Sequence, residues 1–305
     1  THSGAFSFSD SATTEKCSLA RPHALPLPKK VEAFDGQRVV AVSAGNSHSL
    51  ALTAARAVSS YGGRRDGKLG HGDTQQLSQL LPKKVETLAG QRVVAVSAGD
   101  SHSLARTADG AVWSWGDGRC GRLGHGNTQS QLLPQQVEAL AGQRVVAVSA
   151  GDSHSLALTA KGALWSWGDG GPGRLGHGDE QAQWQPKKLE AFAGQRVVAV
   201  SVGDSHSLAL TADGAVWSWG DGYGGKLGPG DGQRQLLPRK IEALAGQRVV
   251  AVSAGGNHNL ALTANGSVWS WGWGANGILG HGDEQNQLLP KKVDASAGRR
   301  VAAVT

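Results

Sequence analysis

Residues 116–126 read GDGRCGRLGHG. The first six follow the spacing G-x-G-x-x-G. In a dinucleotide-binding unit that spacing joins a strand to a helix whose N-terminus faces the pyrophosphate. A strand fits upstream, because residues 111–115 (AVWSW) are rich in β-formers. A helix does not fit downstream, where RLGHGNTQSQLLP carries two more glycines, then Pro134, and no helical period. The string also recurs. GDGGPGRLGHG begins at Gly168, GDGYGGKLGPG at Gly220, GWGANGILGHG at Gly272, and a worn copy, GGRRDGKLGHG, at Gly62. From Gly116 onward the copies stand 52 residues apart, and the first interval is 54, with Leu77 and Ser78 reading as a two-residue insertion. Five pyrophosphate loops at one spacing have no use in one chain, whereas a repeat of this length marks a solenoid, propeller or array. The cofactor reading is set aside, and no cofactor or metal is expected.

The rest of the repeat follows the same period. GQRVVAVS starts at Gly36, Gly90, Gly142, Gly194 and Gly246, and a last partial copy, GRRVAAV, at Gly298. Within one unit, VVAVSAG is a β-branched run stopped by glycine, SHSLALTA alternates small polar and apolar residues, and ALWSWG is a third β-rich run. Between the second and third lies Asp109–Gly110, Lys161–Gly162, Asp213–Gly214 or Asn265–Gly266. Such pairs predict a type I′ hairpin turn with positive φ at both central residues. QPKKLEAF is a shorter extended piece, and its proline suits an edge strand that loses no ladder hydrogen bond. One small antiparallel sheet cannot bury its apolar face alone, but several stacked round an axis can.

The expected fold is all-β, a β-propeller of antiparallel blades forming a single domain over residues 1–305. Five full repeats start at Gly36, Gly90, Gly142, Gly194 and Gly246. A sixth blade is expected to close from both termini, residues 298–305 with residues 1–35, because THSGAFSF at the N-terminus aligns with TADGAVWS at residues 107–114. The chain has no methionine, which reads as a processed or truncated product, and a blade count of seven follows if further repeats lie outside it.

The strings VWSWGDGxxGxLGHGD, LLPKKVEAL and AGDSHSLALTADG resemble the repeats of the regulator-of-chromosome-condensation family across nearly the whole chain. The resemblance implies a propeller, typically seven-bladed. It also implies a choice among several roles, because the family includes a chromatin-bound exchange factor for the GTPase Ran, a plant UV-B photoreceptor, and propellers within large HECT-type ubiquitin ligases. The wording is closest to the ligase propellers and the photoreceptor. The exchange factor uses a protruding wedge, and here the largest insertion is two residues. The photoreceptor absorbs through tryptophans in Gly-Trp-Arg-His-Thr, and the matching positions here carry Asp100, Asp152 and Asp204. Both roles are disfavoured on those residues.

Repetition also argues against catalysis. His48, His102, His154, His206 and His258 hold one position of the repeat, and His71, His125, His177 and His281 another. Copies related by rotation lie too far apart to share a proton or a metal, so hydrogen bonding between neighbouring strands is expected of them. The tryptophan pairs Trp113/Trp115, Trp165/Trp167, Trp217/Trp219 and Trp269/Trp271 predict packing between blades. No nucleophile elbow, HExxH or paired-cysteine motif occurs. Cys17 and Cys120 stand apart, which suits a reducing, intracellular compartment, whether cytoplasm, nucleus or organelle.

In a ring of near-copies, departures are the better functional candidates. Trp184 replaces a leucine, Trp273 replaces the aspartate of WGDG, and Tyr223, Arg64 and Arg65 occupy the variable part of the Gly-rich loop. Exposed aromatic and arginine side chains are the types that anchor partners. The net charge of +6 adds a second set: Lys83, Lys84, Lys187, Lys188, Arg239, Lys240, Lys291 and Lys292. Rotation would spread these into a ring able to meet an acidic protein or nucleosomal DNA phosphate. A glutamate near each pair, such as Glu86 or Glu190, offsets it and favours a mixed, solvated rim. No apolar run is long enough to span a bilayer. The expected function is a non-catalytic scaffold binding another protein, with nucleotide exchange or chromatin docking as the alternative.

Overall fold

The computed structural model describes residues 4–6, 29–73, 78–294 and 301–304. Five antiparallel sheets follow one another along the chain, each an up-and-down meander. Blade 1 comprises Val39–Ala44, His48–Thr53, Val58–Gly63 and Ser78–Lys84. Blade 2 comprises Val93–Ala98, His102–Thr107, Val112–Gly116 and Gln131–Gln136. Blade 3 spans Val145–Ala150 to Gln183–Lys188, blade 4 Val197–Val202 to Gln235–Lys240, and blade 5 Val249–Ala254 to Gln287–Lys292. The first strands face one another round a central channel of about 220 Å³, lined by Ser97, Ser149, Ser201 and the valines beside them. The proline-bearing strand is outermost in each sheet, where its missing N–H leaves no gap in the ladder.

The hairpin turn departs from the expected type. Thr107 N–H donates to Ala111 O and Gly110 N–H to Thr107 O, so the loop has three residues, and Gly110 has positive φ (+95°) while Asp109 does not. This is a type I turn followed by a glycine bulge. Thr107 Oγ1 donates to Asp109 Oδ1, and in blade 4 Thr211 Oγ1 donates to Asp213 Oδ1 at 2.6 Å, but the same turn forms at Ala54–Arg56 and Ala160–Gly162, where no aspartate stands. In each blade only the third loop residue enters the left-handed region, a glycine in four blades and Arg56 (φ +69°) in the first.

The Gly-rich loop makes one 3-10 turn, Arg119–Gly121, and no α-helix occurs among the described residues. Gly121 has φ +76°, and a Cβ there would lie 2.4 Å from the Cα of Trp184 in the next blade. The loop is packed against protein backbone, which leaves no room for a pyrophosphate.

The core lies between blades rather than within them. Leu50, Leu52 and Val58 of blade 1 pack with Val93, Ala98, Ala105 and Trp115 of blade 2, and the same grouping repeats at the next three junctions. Trp115, Trp167, Trp219 and Trp271 are fully buried, so the second tryptophan of each pair is the wedge between sheets, as expected.

Gly4–Phe6, whose sequence aligns with a third strand, pairs with the innermost strand of blade 1, Gly4 opposite Ala44 and Phe6 opposite Val42. An innermost strand has a free ladder edge that a three-residue extended segment can take. Residues 7–28 and 298–300 of the expected closing blade lie outside the described residues.

Candidate interaction surface

Two histidine sets do two structural jobs. The first joins blades: Nε2 of His48, His102 and His154 lies 2.8–2.9 Å from Oγ of Ser103, Ser155 and Ser207 in the following blade. Each serine hydroxyl donates to the backbone carbonyl of Lys68, Arg122 or Arg174. The hydroxyl hydrogen is therefore used, and the histidine must be the donor, with its proton on Nε2. Asn259 confirms the logic at the fourth junction. Its Oδ1 faces His206 Nε2 at 2.7 Å and its Nδ2 donates to Lys226 O, the same two roles played by different atoms. Indole N–H groups of Trp115, Trp219 and Trp271 donate to the same carbonyls. Burial, and then the neighbouring cation, hold His48 and His102 down to about 3. The second set acts within a blade: His71, His125, His177 and His281 each sit 2.9 Å from a serine of the third strand.

The residues whose carbonyls accept these bonds form a column that sequence reading missed. Lys68, Arg122, Arg174 and Lys226 are buried at one position of the Gly-rich loop. Lys226 Nζ pairs with Asp221 at 2.7 Å and also reaches Ser205 and Asn257. Arg122 pairs with Asp117 at 3.3 Å and Arg174 with Asp169 at 3.5 Å. Arg122 and Arg174 cross to the backbone carbonyls of Asp152 and Asp204 in the next blade. The signal was a basic residue at one fixed position in four repeats, broken by Ile278 in the fifth. Inside this ring of cations stand Asp100, Asp152 and Asp204. Burial first, and then their mutual repulsion, raises the pKa of Asp152 and Asp204.

The candidate residues fall into three groups. Trp184 (52 % exposed), Tyr223 (73 %) and Trp273 (43 %) present aromatic surface at the loops and outer edge. Gly224 lies beside Trp273, a Cβ there standing 3.5 Å from Trp273 Cβ, which brings the Tyr223 loop and Trp273 together across the blade 4–blade 5 junction. Trp184 stands apart, in blade 3. Arg64 is buried and paired with Asp73 at 2.7 Å, so it serves its loop, while Arg65 is exposed. The basic pairs lie on the outermost strands, with Lys83, Lys84, Lys187, Lys188, Arg239, Lys291 and Lys292 exposed and Lys240 half-buried. Lys84, Lys188 and Lys240 face Glu86, Glu190 and Glu242 at 3.3–3.8 Å, and Arg239 faces Asp231 at 2.8 Å. Such exposed pairs contribute little energy, but they halve the charge a phosphate backbone would meet. No cluster of three or more His, Cys, Asp or Glu side chains able to hold a metal occurs among the described residues.

Sheets of one repeat, wedged by tryptophan and clasped by histidine, define a β-propeller whose shared polar residues build the scaffold. The model of the RCC1-like domain matches residues 10–305, and the chain belongs to that family. Human E3 ubiquitin-protein ligase HERC2 is 44% identical over 203 residues, 66% of this chain and 4% of the relative. The Ultraviolet-B receptor UVR8 of Arabidopsis thaliana is 41% identical over 194 residues, 63% of this chain and 44% of the relative. The chain thus spans less than half of either. Among solved structures, Prp20p of Saccharomyces cerevisiae, described with its binding properties to Gsp1p and histones, superposes with a TM-score of 0.76 at 27% identity, covering 88% of this chain and 66% of that one.

Proposed function

We propose that this chain is a non-catalytic propeller that binds another protein, alone or as a module of a larger assembly. One observation carries the reading. The polar side chains shared by the repeats are used inside the scaffold, whereas Trp184, Tyr223 and Trp273, where repeats depart from one another, are exposed. Large aromatic side chains on a rigid frame bury contact area on binding at low entropic cost.

The test is affinity capture with matched variants. Partners bound by the tagged chain are compared with those of the triple variant Trp184→Ala, Tyr223→Ala, Trp273→Ala at equal thermal midpoint. A partner that binds directly once purified, and tenfold more weakly to the variant, supports the proposal. Unchanged binding removes these residues from it. The likeness to Prp20p supports a second reading, docking to a Gsp1p-like GTPase or to histones. Acceleration of nucleotide release from Gsp1p, or salt-sensitive nucleosome binding lost on charge reversal of Lys83, Lys84, Lys187 and Lys188, would favour that reading instead.

A further inference from the structure

The hairpin turn of blade 3 departs from the repeat. Lys161 stands where the other blades carry Ala55, Asp109, Asp213 and Asn265. The acidic versions are engaged locally, Asp109 by Thr107 and Asp213 by Thr211. Lys161 has no counterpart of that bond, and Thr159 Oγ1 donates to Ala163 O alone. Two further cations line the same cavity of about 280 Å³, Lys188 from the outermost strand of blade 3 and Arg196 just before the innermost strand of blade 4. Leu189, Phe192 and Gln195 complete the wall. The equivalent sets at the other described junctions are Ala55, Lys84 and Arg92; Asp109, Gln136 and Arg144; and Asp213, Lys240 and Arg248. Only the set between blades 3 and 4 is basic at all three positions.

The scaffold fixes these positions. Val197 N–H donates to Gly162 O at 3.4 Å, which ties the turn to blade 4. A Cβ on Gly162 would meet Cγ of Arg196 at 2.9 Å, so the arginine stem lies across the turn that carries Lys161. In blade 4 the matching turn residue, Asp213, is held below the usual carboxylate range by Thr211 first and also by Lys240, so the turn lies within electrostatic reach of the outer strand. The cavity floor is packed: Leu189 and Phe192 are buried, and Phe192 stands edge-on to Trp217 with ring centroids 5.6 Å apart. Neither Lys161 nor Arg196 has an ion-pair partner among the described residues, and Lys188 pairs with Glu190 at 3.3 Å. Three positive charges against one negative leave two. A phosphate monoester carries about −1.5 to −2 charge at neutral pH and three strong acceptor oxygens. A nucleic-acid strand carries one charge per phosphate and is met by a track of cations, whereas these converge on one hollow.

Resting on the interaction reading above, we infer that the cavity between blades 3 and 4 docks a phosphorylated serine or threonine of the partner protein. Lys161, Lys188 and Arg196 each donate to the phosphoryl oxygens.

The test is an arrayed library of phosphoserine and phosphothreonine peptides, each beside its unphosphorylated form, probed with the full chain and followed by anisotropy measurements on the best binders. Binding that falls at least tenfold on phosphatase treatment is expected. Lys161→Asp, which copies blades 2 and 4, should weaken it at least tenfold, and Arg196→Gln about fivefold, with the thermal midpoint retained. Arg248→Gln, the same change one junction on, should leave it intact. Equal binding of both peptide forms, affinities indifferent to Lys161→Asp and Arg196→Gln, or an equal loss in Arg248→Gln would overturn the inference. So would a short DNA duplex that binds more tightly than any phosphopeptide and loses affinity in the same variants. If Lys161→Asp unfolds, Arg196→Gln decides alone. A native partner whose binding survives both phosphatase and Lys161→Asp sinks this site and leaves the interaction role standing; absence of any direct partner sinks that role.

Discussion

The buried histidines make the propeller acid-labile in a defined window. Folding holds His48 and His102 at about 3 and His206 at about 4, against 6.5 for the free side chain. His154 is lowered too, by burial first and then by Arg174. A depressed histidine means that the unfolded chain binds more protons than the folded one, so stability rises with pH. The contribution is complete above 6.5 and is lost as the pH falls from there toward the folded values. At pH 5 the unfolded histidines lie 1.5 units below their midpoint while the folded ones remain neutral. At about 1.4 kcal/mol per unit, each of the three with a stated value removes about 2 kcal/mol. The sum is about 6 kcal/mol, with His154 adding in the same direction. That is comparable to the whole stability of an ordinary domain, about 5–15 kcal/mol. The raised carboxyls of Asp152 and Asp204 act with the opposite sign, gaining stability as they protonate. Guanidinium midpoints followed by tryptophan fluorescence at pH 8, 7, 6 and 5 measure the slope. His102→Gln, which keeps an N–H near the Nε2 position but gains no proton, should flatten it by about one proton. A midpoint that changes by less than the equivalent of about 1 kcal/mol between pH 7 and 5 would refute the burial argument.

Ser103→Ala strands a buried histidine N–H and removes one donor from the Lys68 carbonyl, so it should cost about 2–4 kcal/mol in chemical denaturation. Ser103→Asn, copying Asn259, should cost less than half as much. Gly121→Ala combines a left-handed backbone with a Cβ 2.4 Å from the Cα of Trp184, and should cost about 2–4 kcal/mol. UV-B irradiation should leave the elution volume on a sizing column unchanged, because Asp100, Asp152 and Asp204 stand where the photoreceptor motif has tryptophan; a shift would contradict that reading.

Sequence periodicity reported what repeats at every blade. Strand identity, the wedge role of Trp115 and its copies, and the edge position of Pro134 and Pro186 were all legible, because each follows from residue type at a fixed spacing. The turn at residues 108–110 was not, since Asp-Gly fits both a two-residue and a three-residue loop, and the strand register that decides between them does not show in residue type. The buried cation column escaped because a lysine or arginine in a glycine-rich loop reads as solvated until a neighbouring blade covers it. Arg64 misled in the same way: its exposure is decided by Asp73, nine residues on.

The junction between blades 4 and 5 shows what the repeat protects. Serine becomes asparagine at position 259, yet the donor to Lys226 O and the acceptor from His206 both survive. At that contact what is held constant is the hydrogen-bond role, and the residue type is free to change. The opposite holds a few residues away, where Trp273 and Ile278 discard the Asp–cation pair and supply no substitute for its charges. If removing that pair were costly to the ring, its replacement would restore the lost hydrogen bonds, as Asn259 does. Instead the clasp to blade 4 holds through His206–Asn259 and Trp271 without those charges.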